Sequence, residues 1–229
     1  MSYLNDFISL IYPNLCAACG EVLLKNEITI CTSCLFHLPK TNYHKYKDNP
    51  ISKTFWGRIN IESAASIYYF TKSGNVQNMI HEFKYKGDKK IGIYLGKMYG
   101  NELKHSDIFN KIDVIIPVPL HPKKEKKRGF NQSKVFADGL SISMNKPVNI
   151  NSLIRTYSSE SQTRKSRFNR WENVKEIFSI QHPENLTNKN ILLVDDVITT
   201  GATIEACGSL LLEIEGVKLF IVSIAVASN

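Results

Sequence analysis

The stretch from Ile191 to Thr203, ILLVDDVITTGAT, restricts the possible folds more than any other part of the chain. Ile191, Leu192, Leu193 and Val194 form a continuous apolar run, the pattern of a strand buried on both faces in a parallel sheet. Asp195 and Asp196 follow, where that strand is expected to emerge. In open α/β sheets ligands bind at the carboxyl ends of the strands, so two acids there point to chemistry rather than packing. The small-residue turn Thr199, Thr200, Gly201, Ala202 and Thr203 leads into a helix expected from Ile204 to Glu215, with Ile204, Cys207, Leu211 and Ile214 on one face and Gly216 as its stop. Such a turn at a helix N-terminus offers free N–H groups, hydroxyls and a positive dipole end, which together suit a phosphate monoester.

The competing reading is a buried strand ending in an ordinary acidic turn, because Asp and Thr are common turn and cap residues. A Walker B strand is a second rival, but it needs a G-x-x-x-x-G-K-[ST] loop, which the sequence lacks. Adjacent carboxylates can accept hydrogen bonds from a vicinal diol while the turn holds a phosphate beside it. The ligand so described is a phosphorylated sugar. The stretch resembles the phosphoribosyl pyrophosphate (PRPP) motif of type I phosphoribosyltransferases: apolar strand, two acids, an apolar and a variable residue, then Thr-Thr-Gly. The resemblance implies an α/β, type I phosphoribosyltransferase-like fold, a mostly parallel sheet flanked by helices. It implies that Asp195 and Asp196 are catalytic and bind the ribose hydroxyls, directly or through Mg²⁺. Thr199, Thr200, Gly201, Ala202 and Thr203 would hold the 5′-phosphate.

Four cysteines, Cys16, Cys19, Cys31 and Cys34, form two C-x2-C pairs eleven residues apart. Met1 to Pro13 has no basic n-region and contains Asp6, so no secretory signal is expected and a cytoplasmic location is. In that compartment thiols stay reduced, and two such pairs read as a structural zinc site with no open position. His37 and His44 are near enough in sequence to replace a ligand, but are expected as solvated loop residues. Cys207 is expected in the core. The expected organisation is a zinc-binding module and the start of a linker in residues 1–48, the linker in 49–60, and the phosphoribosyltransferase-like domain in 61–229.

Along that domain, strands are expected at Ala64–Thr71, Ile112–Val118, Val148–Arg155 and Val217–Ala227, and helices at Val76–Phe83, Lys90–Lys104 and Asn131–Ser143. The first of these helices delivers Lys84, Tyr85 and Lys86 to a loop ended by Gly87. After Val118 comes a loop with Lys123, Lys124, Lys126, Lys127 and Arg128 in six positions, then Gly129. A charge run is usually a solvated face, yet leaving a strand beside a phosphate motif it favours anion binding. The polar stretch Arg155–Val174 reads as a flap between two strands or as a plain surface loop.

The sequence P-V-P-L-x-P, the basic run and R-G-F-N-Q resemble the narrower ComF-type group, associated with competence and DNA uptake and carrying a four-cysteine zinc module. That resemblance implies a pyrophosphate loop with Lys126, Lys127, Arg128 and Gly129, and a flap with Arg155, Thr156, Gln162, Arg167, Arg170 and Asn173. PRPP with Mg²⁺ is the implied ligand, and single-stranded DNA and competence machinery are the implied partners. One position departs from the group: Asp88 follows Gly87 where a basic residue is usual. With 29 Lys and Arg against 21 Asp and Glu, the net charge of +8 favours polyanions. It is equally compatible with a non-enzymatic single-stranded-DNA-binding factor whose PRPP binding is regulatory or vestigial, or with a structural adaptor. No apolar run approaches the ~20 residues of a membrane span.

Overall fold

The computed structural model describes residues 12–155 and 177–227. Its centre is a parallel four-stranded sheet of β1 (Ser63–Phe70), β2 (Val114–Pro117), β5 (Asn190–Ile198) and β6 (Lys218–Ala227), in the spatial order β1-β6-β5-β2. Strand alternation decides what each face covers. Leu192 and Val194 point into one core with Phe220 and Val222, whereas Ile191 and Leu193 point into the other with Leu219 and Ile221. Both faces are therefore buried, which explains why these strands read as unbroken apolar runs.

The first face is covered by α3 (Asn75–His81), α4 (Lys89–Lys104) and α6 (Gln132–Met144). Helices α4 and α6 cross at backbone contact, because a Cβ on Gly96 would stand 2.7 Å from the Cα of Gly139 and one on Gly139 2.5 Å from the Ile93 oxygen. The second face is covered by α7 (Ala202–Leu212) and the short α2 (Pro50–Thr54). Cys207 is fully buried there, as expected.

The cysteine-rich segment, with α1 (Thr32–His37), shares the first core: Cys16, Ala18, Ile30 and Leu38 pack in one cluster with Tyr68, Met79 and Leu95. The segment expected as a linker carries buried contacts of its own. Asn49 caps α2 through its side-chain oxygen and donates its side-chain N–H to the Ala64 oxygen of β1 at 2.9 Å. Ile51 and Phe55 are buried against the sheet, while Trp56 is exposed.

Four local expectations are corrected. Strand β5 does not end at Val194 but runs through both acids to Ile198, because β6 continues the ladder with Ser223 opposite Asp195 and Val226 opposite Ile198. The lysine run is not a loop but a helix, α5 (Pro122–Arg128): His121 accepts from the Lys123 N–H, Pro122 starts the turn, and Gly129 at φ 80 ends it. The strand expected from Val148 breaks after one bridge to Ile115, because the Asn149 side chain accepts from the N–H groups of Asn151 and Ser152 and turns the chain. Only Leu153–Arg155 (β3) is extended, pairing antiparallel with Phe178–Ile180 (β4). Finally, α3 gives way to a π-helical turn over Glu82–Lys86, closed by Gly87 at φ 75. Among the described residues no helix is long and apolar enough to cross a membrane.

Candidate functional site

Consecutive strand residues send their side chains to opposite sides, so Asp195 and Asp196 meet different partners. Asp196 pairs with Lys84, Oδ2 to Nζ 3.0 Å, and both side chains are largely covered. Lys84 reaches it from the π turn, where the buried Phe83 fixes the backbone and Tyr85 is left exposed. Asp195 accepts from the Ser133 hydroxyl at 3.0 Å and from the Asp196 N–H at 2.8 Å. Burial pushes the Asp195 carboxyl up to about 7, the Asp196 charge adds to the rise, and the two hydrogen bonds and Lys84 oppose it.

The residues R-G-F-N-Q-S explain how Ser133 arrives there. Phe130 is buried, its ring 5.6 Å from that of Phe83. Asn131 caps α6 by accepting from the N–H groups of Ser133 and Lys134, and its own side-chain N–H donates to the Val118 oxygen at the end of β2. Gln132 is buried, accepts from Arg128 at 2.8 Å and donates to the Phe130 oxygen. Arg128 also lies over the Tyr85 ring at 5.7 Å, so it borders the Lys84 turn. Of the residues expected in the pyrophosphate loop, Arg128 borders the Lys84 turn, whereas Lys126, Lys127 and Gly129 are exposed at the end of α5.

The small-residue turn leads into α7 with Gly201 at φ 76 as the N-cap, so Ala202 and Thr203 lie in the first turn of the helix rather than before it. Thr199, Thr200, Ala202 and Thr203 are exposed, Gly201 is buried, and the Ala202 N–H approaches the Thr200 hydroxyl at 3.4 Å. Arg58 donates to the Thr200 oxygen at 2.9 Å and pairs with Glu205 in the first turn of α7. Arg155 lies in β3 with its guanidinium 5.1 Å from the Phe178 ring centre, beside a cavity of about 240 Å³ that Asn131 and Lys134 also line. The charges of Arg155 and Asp195 both act on the buried Cys207 thiol, which burial pushes well up. Thr156, Gln162, Arg167, Arg170 and Asn173, expected in the flap, fall outside the described residues.

Lys84, Ser133 and Arg58 were not among the expected site residues. Lys84 had a visible signal, a basic pair ending a helix before glycine, but nothing assigned it to Asp196. Ser133 looked like an ordinary early helix residue, and Arg58 fell in the expected linker.

The 19 positions from Cys16 to Cys34 hold the second candidate site. The Sγ atoms of Cys16, Cys19, Cys31 and Cys34 all lie within 4.8 Å of one another. A tetrahedral ion with bonds of ~2.3 Å needs its sulfurs about 3.8 Å apart, so the four thiols fit one metal ion. Cys19 and Cys31 are already at 3.7 Å. The knuckle after Cys16 closes on Gly20 at φ 79, and the Cys31 N–H donates to Cys16 Sγ at 3.2 Å. Burial pushes the Cys16 thiol up, but N–H groups of Cys19, Cys31 and Ala18 outweigh it and bring it down to about 7, whereas burial and the neighbouring thiols push the Cys34 thiol up. His37 is exposed and bonded to the Ser33 oxygen. His44, expected in solvent, is instead buried, 3.8 Å from Glu102 and edge-on to Tyr99.

The raised Asp195 carboxyl has a consequence for stability. The folded chain keeps a proton that the unfolded chain releases, so stability falls as pH rises from about 4 to about 7. Asp195→Asn keeps an acceptor for Ser133 but has no charge to bury. We expect this variant to be about 1–3 kcal/mol more stable than the wild type at pH 8, the gap closing by pH 4. Urea unfolding at several pH values measures it, and parallel pH profiles for the two proteins would contradict the assignment.

Residues 101–229 match the family described as phosphoribosyl transferase domain. Competence protein ComFC of Bacillus subtilis is 27% identical over 204 residues, covering 86% of this chain and 78% of the relative. DNA utilization protein YhgH of Escherichia coli K12 is 26% identical over 202 residues, covering 86% and 84%. Among solved structures, glutamine phosphoribosylpyrophosphate amidotransferase from B. subtilis aligns with a TM-score of 0.43 and 19% identity, over 62% of this chain and 30% of that one. With more than half of its length matched, and with the acid pair and small-residue turn joined to one parallel sheet, the chain belongs to the phosphoribosyl transferase domain family.

Proposed function

We propose that the protein binds PRPP and acts as a ComF-type phosphoribosyltransferase. The observation that carries this reading is the sequence of strand, acid pair, turn and helix from Asn190 to Leu212, with a cation held against Asp196. In such a transfer, pyrophosphate leaves the anomeric carbon and positive charge develops on the sugar ring. Asp195 and Asp196 would take the ribose hydroxyls, directly or through Mg²⁺. Thr199, Thr200, Gly201, Ala202 and Thr203 would take the 5′-phosphate at the positive end of α7. Lys84 and Arg128 would neutralise a pyrophosphate, together with Lys126, Lys127 and Gly129 at the end of α5. Mg²⁺, a hard cation that commonly bridges substrate phosphates, would supply further screening of that charge. Removing a ligand's polar partners costs most where they are charged, so Asp195→Ala/Asp196→Ala should weaken PRPP at least 100-fold in calorimetric titration with Mg²⁺. No heat from the wild type would sink the reading.

The metal at the four cysteines is zinc in this proposal, because four thiolates in a closed tetrahedral set suit that ion and leave no position for substrate. Freshly purified protein should contain about one zinc per chain. Its removal by a chelator should release four reactive thiols and lower the melting temperature, since the cluster shares the core of the main sheet. Metal-free protein with an unchanged melting temperature would reject a structural zinc.

A second reading has its own observation. Helix α5 has no buried residue, and Lys123, Lys124, Lys126 and Lys127 are exposed along it. Relatives bear the names DNA utilization protein and competence protein. Single-stranded DNA would lie on this helix as a polyanion. Changing these four lysines to Gln should flatten the dependence of DNA affinity on salt, and a slope equal to that of the wild type would remove the helix from the DNA track.

A further inference from the structure

We infer that Arg58 is a positioning residue for the phosphate turn, acting from a segment that precedes the matched family region. It rests on the PRPP reading and assigns the residue that sets the turn's geometry and charge. Arg58 donates to the Thr200 oxygen at 2.9 Å from 142 positions away in sequence, and to Thr54 within its own segment at 3.2 Å. In a planar trans peptide the C=O and N–H point in opposite directions. Holding the Thr200 oxygen on Arg58 therefore turns the Gly201 N–H to the other side, away from Arg58 and free for an anion.

The surroundings make this clamp rigid. The Phe55 ring lies 2.9 Å from where a Cβ on Gly201 would be, so the turn is seated directly on Phe55. The Arg58 guanidinium lies 5.8 Å from the same ring's centre. Phe55 is fully buried, and α2 before it is fastened to β1 by Asn49.

Arg58 has a second effect, on charge. Glu205 lies in the first turn of α7, is 93% covered, and donates its N–H to the Gly201 oxygen at 2.8 Å. A bare carboxylate in that turn would repel a bound phosphate across a poorly screened gap. Arg58 meets it with Nε at 2.9 Å and with a second, shorter contact from Nη2. One guanidinium thus sets a peptide plane and cancels the negative charge nearest the turn, a task that suits its planar fork of donors.

The test separates the 5′-phosphate end of the ligand from its pyrophosphate end. Wild type and Arg58→Ala are titrated with PRPP and, separately, with pyrophosphate, both with Mg²⁺. Loss of a charge-assisted hydrogen bond and exposure of Glu205 should weaken PRPP roughly 10- to 100-fold, while pyrophosphate, which does not use the turn, changes less than about two-fold. Equal weakening of both ligands would reveal a merely structural role and overturn the inference, as would unchanged PRPP affinity. A wild type that takes up no PRPP would sink the transferase reading and this inference together. A wild type that binds PRPP as tightly as Arg58→Ala does would sink the inference alone. Should Arg58→Ala fail to fold, Arg58→Lys keeps a charge beside Glu205 without the fork, and the same contrast between the two ligands decides.

Discussion

Two carboxylates side by side in a strand of a buried sheet are costly, and much of the site can be understood as what makes them tolerable. Asp196 has Lys84 at 3.0 Å. Among the described residues Asp195 has no cation of its own in hydrogen-bond reach; it is held by a hydroxyl and an N–H, with its carboxyl pushed up to about 7. Among the described residues the unequal partners leave one acid with a countercharge and the other without one. A bound diol or cation near Asp195 would relieve that cost.

The partners of the acid pair are delivered by a π turn and by a helix start. Lys84 comes from a π-helical turn ended by a left-handed glycine. Ser133 comes from the first turn of a helix whose cap, Asn131, is tied to the end of β2. The small-residue turn rests on Phe55 and Arg58. The lysine helix α5 contributes its last residue, Arg128, to this group and leaves the others in solvent.

The cysteine cluster shares a core with the helices that carry Lys84 and Ser133. Asn78 of α3 donates to the Ala18 oxygen between two of the cysteines, and Asn75 approaches Cys34 Sγ at 3.9 Å. A metal there would stiffen the packing behind α3, the helix that runs into the Lys84 turn. Such a metal would support the fold rather than take part in a reaction, since four thiolates leave no ligand position open.

The sequence alone determined the parts whose signal is local. The apolar run before Asp195, the small-residue turn, the four cysteine positions and the burial of Cys207 were all legible, because strand burial, helix starts and metal knuckles are written in neighbouring residues. Where β5 ends was not legible, because the ladder past Val194 depends on β6 reaching Val226 from elsewhere in the chain. The lysine run read as a loop because like charges hide a short helix whose cap, proline and glycine were all present. Lys84 against Asp196 and Arg58 against Thr200 and Glu205 were decided only by tertiary structure. Such pairs are set by how helices and strands stack, and long charged side chains carry no mark of the partner they will meet.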